Sequence, residues 1–329
     1  MCSSDLSVQK DYRASTFHAA TLDLYENTGI TAALLKMGIQ CRVTQFRGWK
    51  EGKVAEFDHA LLGKDTRHPY RLQCEQYKLS EHLFDVLSRH PSATLLYQHE
   101  VTGIADRGDT VEVTVTSPDG EKRLVAPYVV ASDGGRSTVR RLLDIGFEGK
   151  TYPDRILVMG TPYDFKKVFP DLQEVNYISD PGNYAHVLRI PDLWRMSLPL
   201  TDETPDEVAL TDDYIYGRLQ VLIPAIGKPP LAVRGVYTAH QRVATTYRKG
   251  RIFLAGDAAH LNNPKGGMGL NGGLHDAYSL ATRLGRVCLG EAPVSELDGY
   301  EAQRRPEAVD AILKQTDQNL TNLKADEAA

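Results

Sequence analysis

The sequence predicts an α/β domain that is split by a β-rich insert. Strand and helix patterns alternate near both ends of the chain, which is typical of a largely parallel sheet covered by helices. Between them, residues 151–244 are rich in β-branched and aromatic residues with frequent proline, and we expect mostly antiparallel strands there. These patterns together indicate two structural parts within one chain.

Length and charge exclude several classes of protein. The chain has 329 residues, which is enough for one large or two medium domains with real cores. Its formal net charge of −5 gives no reason to expect nucleic acid or an anionic membrane surface as a partner. No apolar run reaches about 18 residues, so we expect no membrane span.

The cysteines and histidines do not form a metal-binding pattern. Cys2, Cys41, Cys74 and Cys288 lie far apart and form no C-x-x-C pair, so neither a zinc site nor a disulfide framework is indicated. No H-x-H or H-E-x-x-H pattern occurs either, and we expect no metal. Reduced thiols in a cytoplasmic protein are the simplest interpretation.

The first half of the chain predicts two helices followed by short strands. One helix starts at Thr16 and stops at Gly29, and a second begins with Ser80 as its N-cap. A turn is expected at Pro118-Asp119-Gly120. The predicted strands are Thr94–Tyr97, Val111–Thr116, Lys122–Val125 and a buried run at Tyr128–Ala131.

The second half predicts one strand and two long helices. A short apolar strand covers Arg251–Ala255, and a helix extends from about Gly272 to Leu289. A final charged helix covers Leu297–Leu323 and is interrupted at Pro306.

The strongest functional pattern begins where the strand Arg251–Ala255 runs into Gly256-Asp257. Ligands of α/β folds sit at the carboxyl ends of strands, and the Asp257 carboxylate can accept hydrogen bonds from ligand hydroxyls. A helix that starts near Met268–Asn271 points its N-terminus at the same ligand and stabilises negative charge there. The loop between them holds glycines that allow close backbone approach, namely Gly266, Gly267 and Gly269.

Residues 250–285, with the wording GDAAH…P…GGMGLN, resemble the second FAD motif of the class A flavoprotein monooxygenases. This is the family of p-hydroxybenzoate hydroxylase and phenol hydroxylase, and the resemblance covers roughly residues 11–308. It implies that Asp257 binds the ribityl chain of FAD and that Pro264 lies beside the substrate. It also implies that the backbone around Leu270 and Asn271 contacts the pyrimidine edge of the isoalloxazine ring.

Further cofactor contacts follow from the same resemblance. The segment Tyr128–Arg141 carries Asp133-Gly134, with Ser137 as a helix cap, and resembles the DG fingerprint of the family. That fingerprint lies close to the flavin pyrophosphate and is implicated in NAD(P)H handling. The remaining cofactor-binding candidates are Arg13, Gln76 and Val101.

The resemblance also implies a domain division. A Rossmann-like FAD-binding domain is assigned to residues 7–45, 70–150 and 245–323, and a substrate-binding β-sheet domain to residues 46–69 and 151–244. Tyr184 and His186 of the second domain are candidates for substrate contact, whereas His260 is expected to be structural. Trp194 is expected to pack in the sheet and Arg195 to lie at the surface.

The phosphate-binding G-x-G-x-x-G turn with which this family begins does not occur before Arg13. Either the sequence is a truncated record that lacks the first βαβ unit, or it is a degenerate homologue, and the intact pattern elsewhere favours truncation. The opening MCSSDL also looks like a translated adapter. The chain as written is therefore expected to fold poorly and to bind FAD weakly.

Three functional hypotheses follow. The favoured one is a monooxygenase that reduces FAD with NADH or NADPH and transfers oxygen from O₂ to an aromatic, phenolic substrate. The flavin carries the chemistry, so no catalytic residue or general base is assigned. The alternatives are a flavin-dependent reductase of the same superfamily and a non-catalytic truncated remnant. A halogenase is disfavoured because Trp49 and Trp194 are the only tryptophans. The sequence leaves the substrate, the choice of nicotinamide cofactor and the oligomeric state open.

Overall fold

The computed structural model describes residues 2–3, 8, 10, 12, 14–179, 183–200, 203–264 and 266–318. The chain divides into two compact units. The first unit comprises Met1–Asp11, Tyr77–Lys150 and His240–Thr316, and the second comprises Tyr12–Gln76, Thr151–Ala239 and Asp317–Ala329. The boundaries of the predicted FAD-binding and substrate-binding domains stay a prediction.

The secondary structure mixes strands and helices throughout, which confirms the predicted α/β class. In chain order the strands are β1 (Cys2–Ser3), β2 (Thr16–Phe17), β3 (Ile39–Cys41), β4 (Val43–Gly48), β5 (Gly52–Asp58), β6 (Arg71–Gln73), β7 (Leu96–Tyr97), β8 (Glu100–Asp106), β9 (Val111–Ser117), β10 (Gly120–Ala126), β11 (Val129–Ala131), β12 (Phe147–Thr161), β13 (Val175–Ile178), β14 (Ala185–Arg189), β15 (Trp194–Leu200), β16 (Val233–Ala244), β17 (Arg248–Lys249), β18 (Ile252–Leu254) and β19 (His260–Leu261). The α-helices are α1 (Ala19–Leu24), α2 (Ile30–Met37), α3 (Gln76–Ser88), α4 (Thr138–Leu142), α5 (Asp206–Ala209), α6 (Asp212–Leu222), α7 (Met268–Cys288) and α8 (Asp298–Pro306).

The first unit contains two three-stranded sheets that share one core. Strands β8, β9 and β10 form an antiparallel meander, and β9 alternates strictly enough that Val111, Val113 and Val115 are buried. The other sheet has the order β11-β18-β17, with β11 and β18 parallel. Phe253 of β18 and Tyr300 of α8 are fully buried in the same cluster of side chains.

The second unit is built on a large sheet in which β16, β12, β15, β14, β13, β4 and β5 follow one another. Most neighbouring strands with a defined register are antiparallel, as predicted, but β13 pairs with β4 in parallel. Helix α6 packs Ile215 and Leu219 against the same core as Met196 and Leu198 of β15. Among the described residues, no helix combines the length and the apolar content that crossing a bilayer requires.

Several predicted elements are confirmed, with small shifts at their ends. The turn between β9 and β10 lies where Pro118-Asp119-Gly120 predicted it, and Gly29 ends the first helical segment with a left-handed φ of 82°. Ser137 caps α4 by accepting a hydrogen bond from the Arg140 N–H. The helix after Pro306 continues as a π-helical segment, Glu307–Leu313. Residues 319–323 of that predicted helix lie outside the described residues.

Three predictions are wrong, and two helices were not predicted. Ser80 does not cap a helix: α3 begins at Gln76, because its buried face already includes Tyr77 and Leu79. The first helix does not begin at Thr16, which lies in β2. In addition, helices α5 and α6 lie within the region expected to be mostly strands, where no helix was predicted, and Thr211 provides the N-cap of α6. Arg195 is buried rather than at the surface, and its guanidinium donates to the Tyr12 carbonyl at 2.7 Å.

Candidate functional site

Two turns of the first unit follow two neighbouring parallel strands. Strand β11 leads into the turn at Asp133–Gly135, which we call the DG turn, and β18 leads into the turn at Gly256–Ala258, which we call the GD turn. The two strands pair in parallel, with Val129 opposite Ile252 and Ala131 opposite Leu254. Because carboxyl ends of parallel strands lie at one edge of a sheet, both turns reach the same edge.

The GD turn depends on glycine for its shape. Gly256 has a φ of 58°, which L-residues with side chains rarely adopt. A Cβ atom on Gly273 of α7 would lie only 3.4 Å from the Gly256 Cα, so helix and turn are packed closely at two glycines. Asp257, the next residue, is exposed. Its carboxylate is therefore on the surface of the turn, where it is accessible to a ligand.

The glycine-rich loop ends at a helix whose N-cap residue has no side chain. The Gly267 N–H donates to the Pro264 carbonyl at 3.1 Å, and this turn leads into α7. Gly267 is the N-cap of α7 with a left-handed φ of 69°, and it provides no side chain to the first helical N–H groups. Asn271 supports the turn through its Nδ2, which donates to the Gly267 carbonyl at 2.7 Å. The start of α7 can thus present backbone donors and the positive end of its dipole to a ligand.

A buried carboxylate on α7 joins the GD turn to two other elements. The side chain of Asp276 is fully buried, and its Oδ2 accepts from the Gly256 N–H at 3.0 Å and from His260 Nε2 at 2.9 Å. Its Oδ1 accepts from Arg304 Nε of α8 at 2.8 Å. Burial alone would raise the pKa of Asp276, but the His260 and Arg304 hydrogen bonds outweigh it and hold the pKa below its usual value.

His260 is structural, in agreement with the sequence prediction. It is 1% exposed, and its ring stacks on Tyr247 with 6.2 Å between the ring centroids. Within the described part of the chain its Nδ1 has no hydrogen-bond partner, so the proton belongs on Nε2, which faces Asp276. Burial raises the pKa of Tyr247 and of Tyr300, which keeps both phenols neutral.

The DG turn uses its aspartate to hold the helix that follows. Asp133 accepts hydrogen bonds from the Ser137 hydroxyl and, at 3.1 Å, from the Val139 N–H at the start of α4. Asp133 is exposed as a residue. A cofactor role for Asp133 stays a prediction.

Arg140 on α4 links the two turns directly. One guanidinium nitrogen donates to the Gly135 carbonyl of the DG turn at 2.8 Å, and another donates to the Ala258 carbonyl of the GD turn at 2.9 Å. The guanidinium also lies over the Phe147 ring, 3.7 Å from its centroid. Arg140 is 5% exposed, so these contacts satisfy a charge that has left water.

Other predicted cofactor residues are distributed over both units. The half-buried Val101 packs in the core of the β8-β9-β10 sheet opposite Val115. Leu270 lies in the first turn of α7. Gln76 belongs to the second unit and is the first residue of α3. Arg13 lies outside the described residues.

The two substrate candidates of the β-rich region lie together in the second unit. Tyr184 is buried, and its ring centroid is 6.5 Å from that of His186 on β14. The His186 ring meets Tyr177 of β13 edge-on at 4.9 Å. Within the described ranges, no group of three or more histidine, cysteine or acidic side chains is arranged to hold a metal ion.

Sequence reasoning missed Arg140, Asp276 and Arg304. A signal for Asp276 was present, because Gly272, Asp276 and Leu280 recur every four residues and so share the buried face of α7. A carboxylate on such a face requires a partner. The partner could not be identified from spacing, since Arg304 is 28 residues away along the chain.

Comparison with known proteins identifies the family. The sequence profile of the FAD binding domain family matches residues 4–315. The chain belongs to this family. It is 30% identical over 326 residues to para-nitrophenol 4-monooxygenase of Pseudomonas sp. strain WBC-3, covering 96% of this chain and 79% of that protein. It is 33% identical over 317 residues to a 12-dehydrotetracycline 5-monooxygenase/anhydrotetracycline 6-monooxygenase of Streptomyces rimosus, covering 92% of this chain and 61% of that protein.

A solved structure agrees with the sequence comparison. The crystal structure of p-nitrophenol 4-monooxygenase from Pseudomonas putida superposes with a TM-score of 0.93 at 29% identity, covering 99% of this chain and 84% of that one. The predicted class A family, its Rossmann-like FAD-binding fold and FAD as the cofactor are thereby confirmed. The predicted enzyme class, a FAD-dependent monooxygenase, is confirmed as well.

Proposed function

We propose that this member of the FAD binding domain family hydroxylates a phenolic ring, with NADH or NADPH as reductant and O₂ as the oxygen source. Bound FAD supplies the redox chemistry and the activation of oxygen. The observation that carries the proposal is the close packing of the GD turn, with its exposed Asp257, against α7 at Gly256 and Gly273, in a helix whose N-cap glycine has no side chain.

The residues of the GD turn and the glycine-rich loop fit a flavin. Asp257 accepts hydrogen bonds from the ribityl hydroxyls in this proposal. The backbone of Gly266, Gly267 and Gly269, together with Leu270 and Asn271, approaches the pyrimidine edge of the ring. A Cβ on Gly269 would lie 3.5 Å from Asn262 Oδ1, so the loop is compact without being blocked. A helix N-terminus stabilises neighbouring negative charge by about 0.3–1 kcal/mol at an exposed site and more when partly buried.

The remaining candidates extend this site. In the proposal Arg13, Gln76, Val101 and Asp133 contact FAD outside its ring. The link that Arg140 makes between the DG and GD turns supports a common role for the two turns in holding the cofactor.

A phenolic substrate is supported by the names of the relatives. Para-nitrophenol and 3-(3-hydroxy-phenyl)propionate are named as substrates of two proteins that are 30% and 31% identical to this chain. We assign Tyr184, His186 and Pro264 to substrate contact. The aromatic cluster of Tyr184, His186 and Tyr177 supports this, since it offers ring edges and polar groups to an aromatic ligand.

A cytoplasmic location is part of the same proposal. Cys41, Cys74 and Cys288 are free thiols, which suits a reducing compartment.

Titration of the purified chain with FAD and with riboflavin, followed by quenching of flavin fluorescence, tests the proposal. Asp257→Asn keeps the size of the side chain and removes its charge, so we expect both dissociation constants to rise by about tenfold or more. Asp85→Asn, at an exposed carboxylate of α3, is the matched control and should leave both constants unchanged. Equal affinities of Asp257→Asn and the unmodified chain for both flavins would refute the proposed site.

A further inference from the structure

Asp276 is a buried carboxylate of the first unit that has no role in the proposed function. Its side chain is fully buried, and three donors converge on it: the Gly256 N–H at 3.0 Å, His260 Nε2 at 2.9 Å and Arg304 Nε at 2.8 Å. These donors come from the GD turn, from β19 and from α8. One carboxylate therefore fixes three elements relative to α7.

The hydrogen bonds of Asp276 continue through Arg304. Arg304 is 3% exposed, and besides Asp276 it contacts Glu307 and, through its second terminal nitrogen at 3.4 Å, the Gly272 carbonyl. Gly272 adjoins Gly273, whose backbone is packed against Gly256. Arg304 and Asp276 thus hold both sides of the contact between α7 and the GD turn.

A general structural role does not explain this arrangement fully. Replacing a buried ion pair with apolar side chains of similar volume is often neutral or stabilising, so stability alone gives little reason for a charge here. What a carboxylate offers, and an apolar side chain does not, is an acceptor for the Gly256 N–H. Gly256 directly precedes Asp257, so the orientation of the Gly256 peptide sets the position of the Asp257 Cα–Cβ bond.

We propose that Asp276 is a positioning residue for the flavin: it orients the GD turn against the start of α7, so that Asp257 and the backbone donors of α7 match one ligand. The inference rests on the proposed function, because the ligand in question is the flavin of that proposal. Asp276 itself is fully buried, so in this proposal it acts through the GD turn and not through contact with the flavin.

Asp276→Asn tests the proposal, with Glu301→Gln as a matched control. Glu301 lies in α8 and also holds a turn. Its Oε2 accepts from the Tyr247 N–H at 3.0 Å and from the Arg248 N–H at 3.2 Å. Both variants lose one carboxylate charge that holds a turn of the first unit, but only Asp276 reaches the GD turn. The melting temperature, the dissociation constants of FAD and riboflavin, and the amide exchange of residues 255–260 are measured for each.

The expected result separates the two variants. Both should melt earlier, whereas only Asp276→Asn should raise the flavin dissociation constants by about tenfold, the effect of roughly one charge-assisted hydrogen bond, and lose exchange protection at residues 255–260. Unchanged flavin affinity in a folded Asp276→Asn variant would overturn the proposal. So would a loss of affinity in both variants in proportion to their melting temperatures.

A second pair of variants covers the case in which Asp276→Asn does not fold. His260→Leu removes one of the three donors to Asp276, and His260→Gln retains an amide N–H donor at a comparable reach. We expect His260→Leu to weaken flavin binding and His260→Gln to restore most of it, and equal affinities of the two would overturn the proposal. If the unmodified chain binds no flavin, the proposed function fails, and the exchange of residues 255–260 alone then decides whether Asp276 orients the turn.

Discussion

At the scale of single residues, buried ionisable groups affect the stability of the first unit more than its exposed charges do. Asp276 is the clearest case. Exposed ion pairs such as that of Asp85 and Arg89 contribute little, because water and side-chain entropy offset them. Removing one partner of a buried carboxylate with three donors lowers the free energy of unfolding far more, because the groups that remain are buried and cannot bond to water instead.

The depressed pKa of Asp276 predicts how stability depends on pH. The folded pKa lies below that of the unfolded chain, which is about 3.9. The carboxylate therefore stabilises the fold above that value and loses this contribution as the pH falls through the folded pKa. Urea unfolding at pH 7, 5, 4 and 3.5 should show a gap between the unmodified chain and Asp276→Asn that is constant near neutrality and shrinks below about pH 4. A gap that stays constant to pH 3.5 would contradict this.

The thiols provide a second prediction at this scale. Burial raises the pKa of the Cys41 thiol to about 12, whereas Cys288 is exposed. Since the thiolate is the nucleophile, iodoacetamide at pH 8.5 should alkylate Cys288 and leave Cys41 unmodified until the chain is unfolded. Mass spectrometry of the peptides measures this, and alkylation of Cys41 at the rate of Cys288 would show that the second unit opens readily around β3.

At the scale of elements, the two parallel strands β11 and β18 explain why the DG and GD turns lie together. Sequence reasoning identified both turns, because each combines a short apolar strand with Asp and Gly. It did not identify Arg140, which bridges them, because its partners are the backbone carbonyls of Gly135 and Ala258, five and 118 residues away. A contact to a carbonyl leaves no residue type in the sequence that could signal it.

Arg140→Ala should therefore destabilise the first unit strongly. It removes two hydrogen bonds from a charged group and the contact with the Phe147 ring, and we expect the free energy of unfolding to fall by about 3 kcal/mol. Arg141→Ala, at the next and exposed arginine of α4, should change it by less than about 0.5 kcal/mol. Chemical denaturation of the two variants makes the comparison, and similar losses would mean that Arg140 does not couple the turns.

At the scale of the whole molecule, the sequence predicted the class of fold and the family better than it predicted local detail. The α/β class followed from alternating periodicities, and the family followed from one continuous segment, 250–285. The errors have local causes: α3 starts before Ser80 because packing of Tyr77 and Leu79 outweighs a capping preference, and α6 was hidden in a strand-rich region although Thr211-Asp212-Asp213 is a helix start. Arg195 was placed at the surface because its partner, the Tyr12 carbonyl, is 183 residues away.

Residues assigned to different ligands should have separable effects when they are replaced. His186 of the second unit is assigned to substrate contact, and Asp257 of the first unit is assigned to FAD. We expect His186→Ala to raise the KM for a phenolic substrate by about two- to tenfold, the effect of one aromatic contact, while the FAD dissociation constant stays unchanged. Steady-state oxidation of NADH or NADPH with a panel of phenols, beside a flavin titration, measures both. A weaker FAD affinity in His186→Ala would argue against a substrate role for this residue.

If the GD turn and the start of α7 hold the reactive half of a flavin, saturating FAD should slow amide exchange at both places. Hydrogen exchange of the chain with and without FAD measures this. New protection is expected at residues 256–258 and 266–271, together with the DG turn at 133–135. Protection confined to other segments, or no change on addition of FAD, would contradict it.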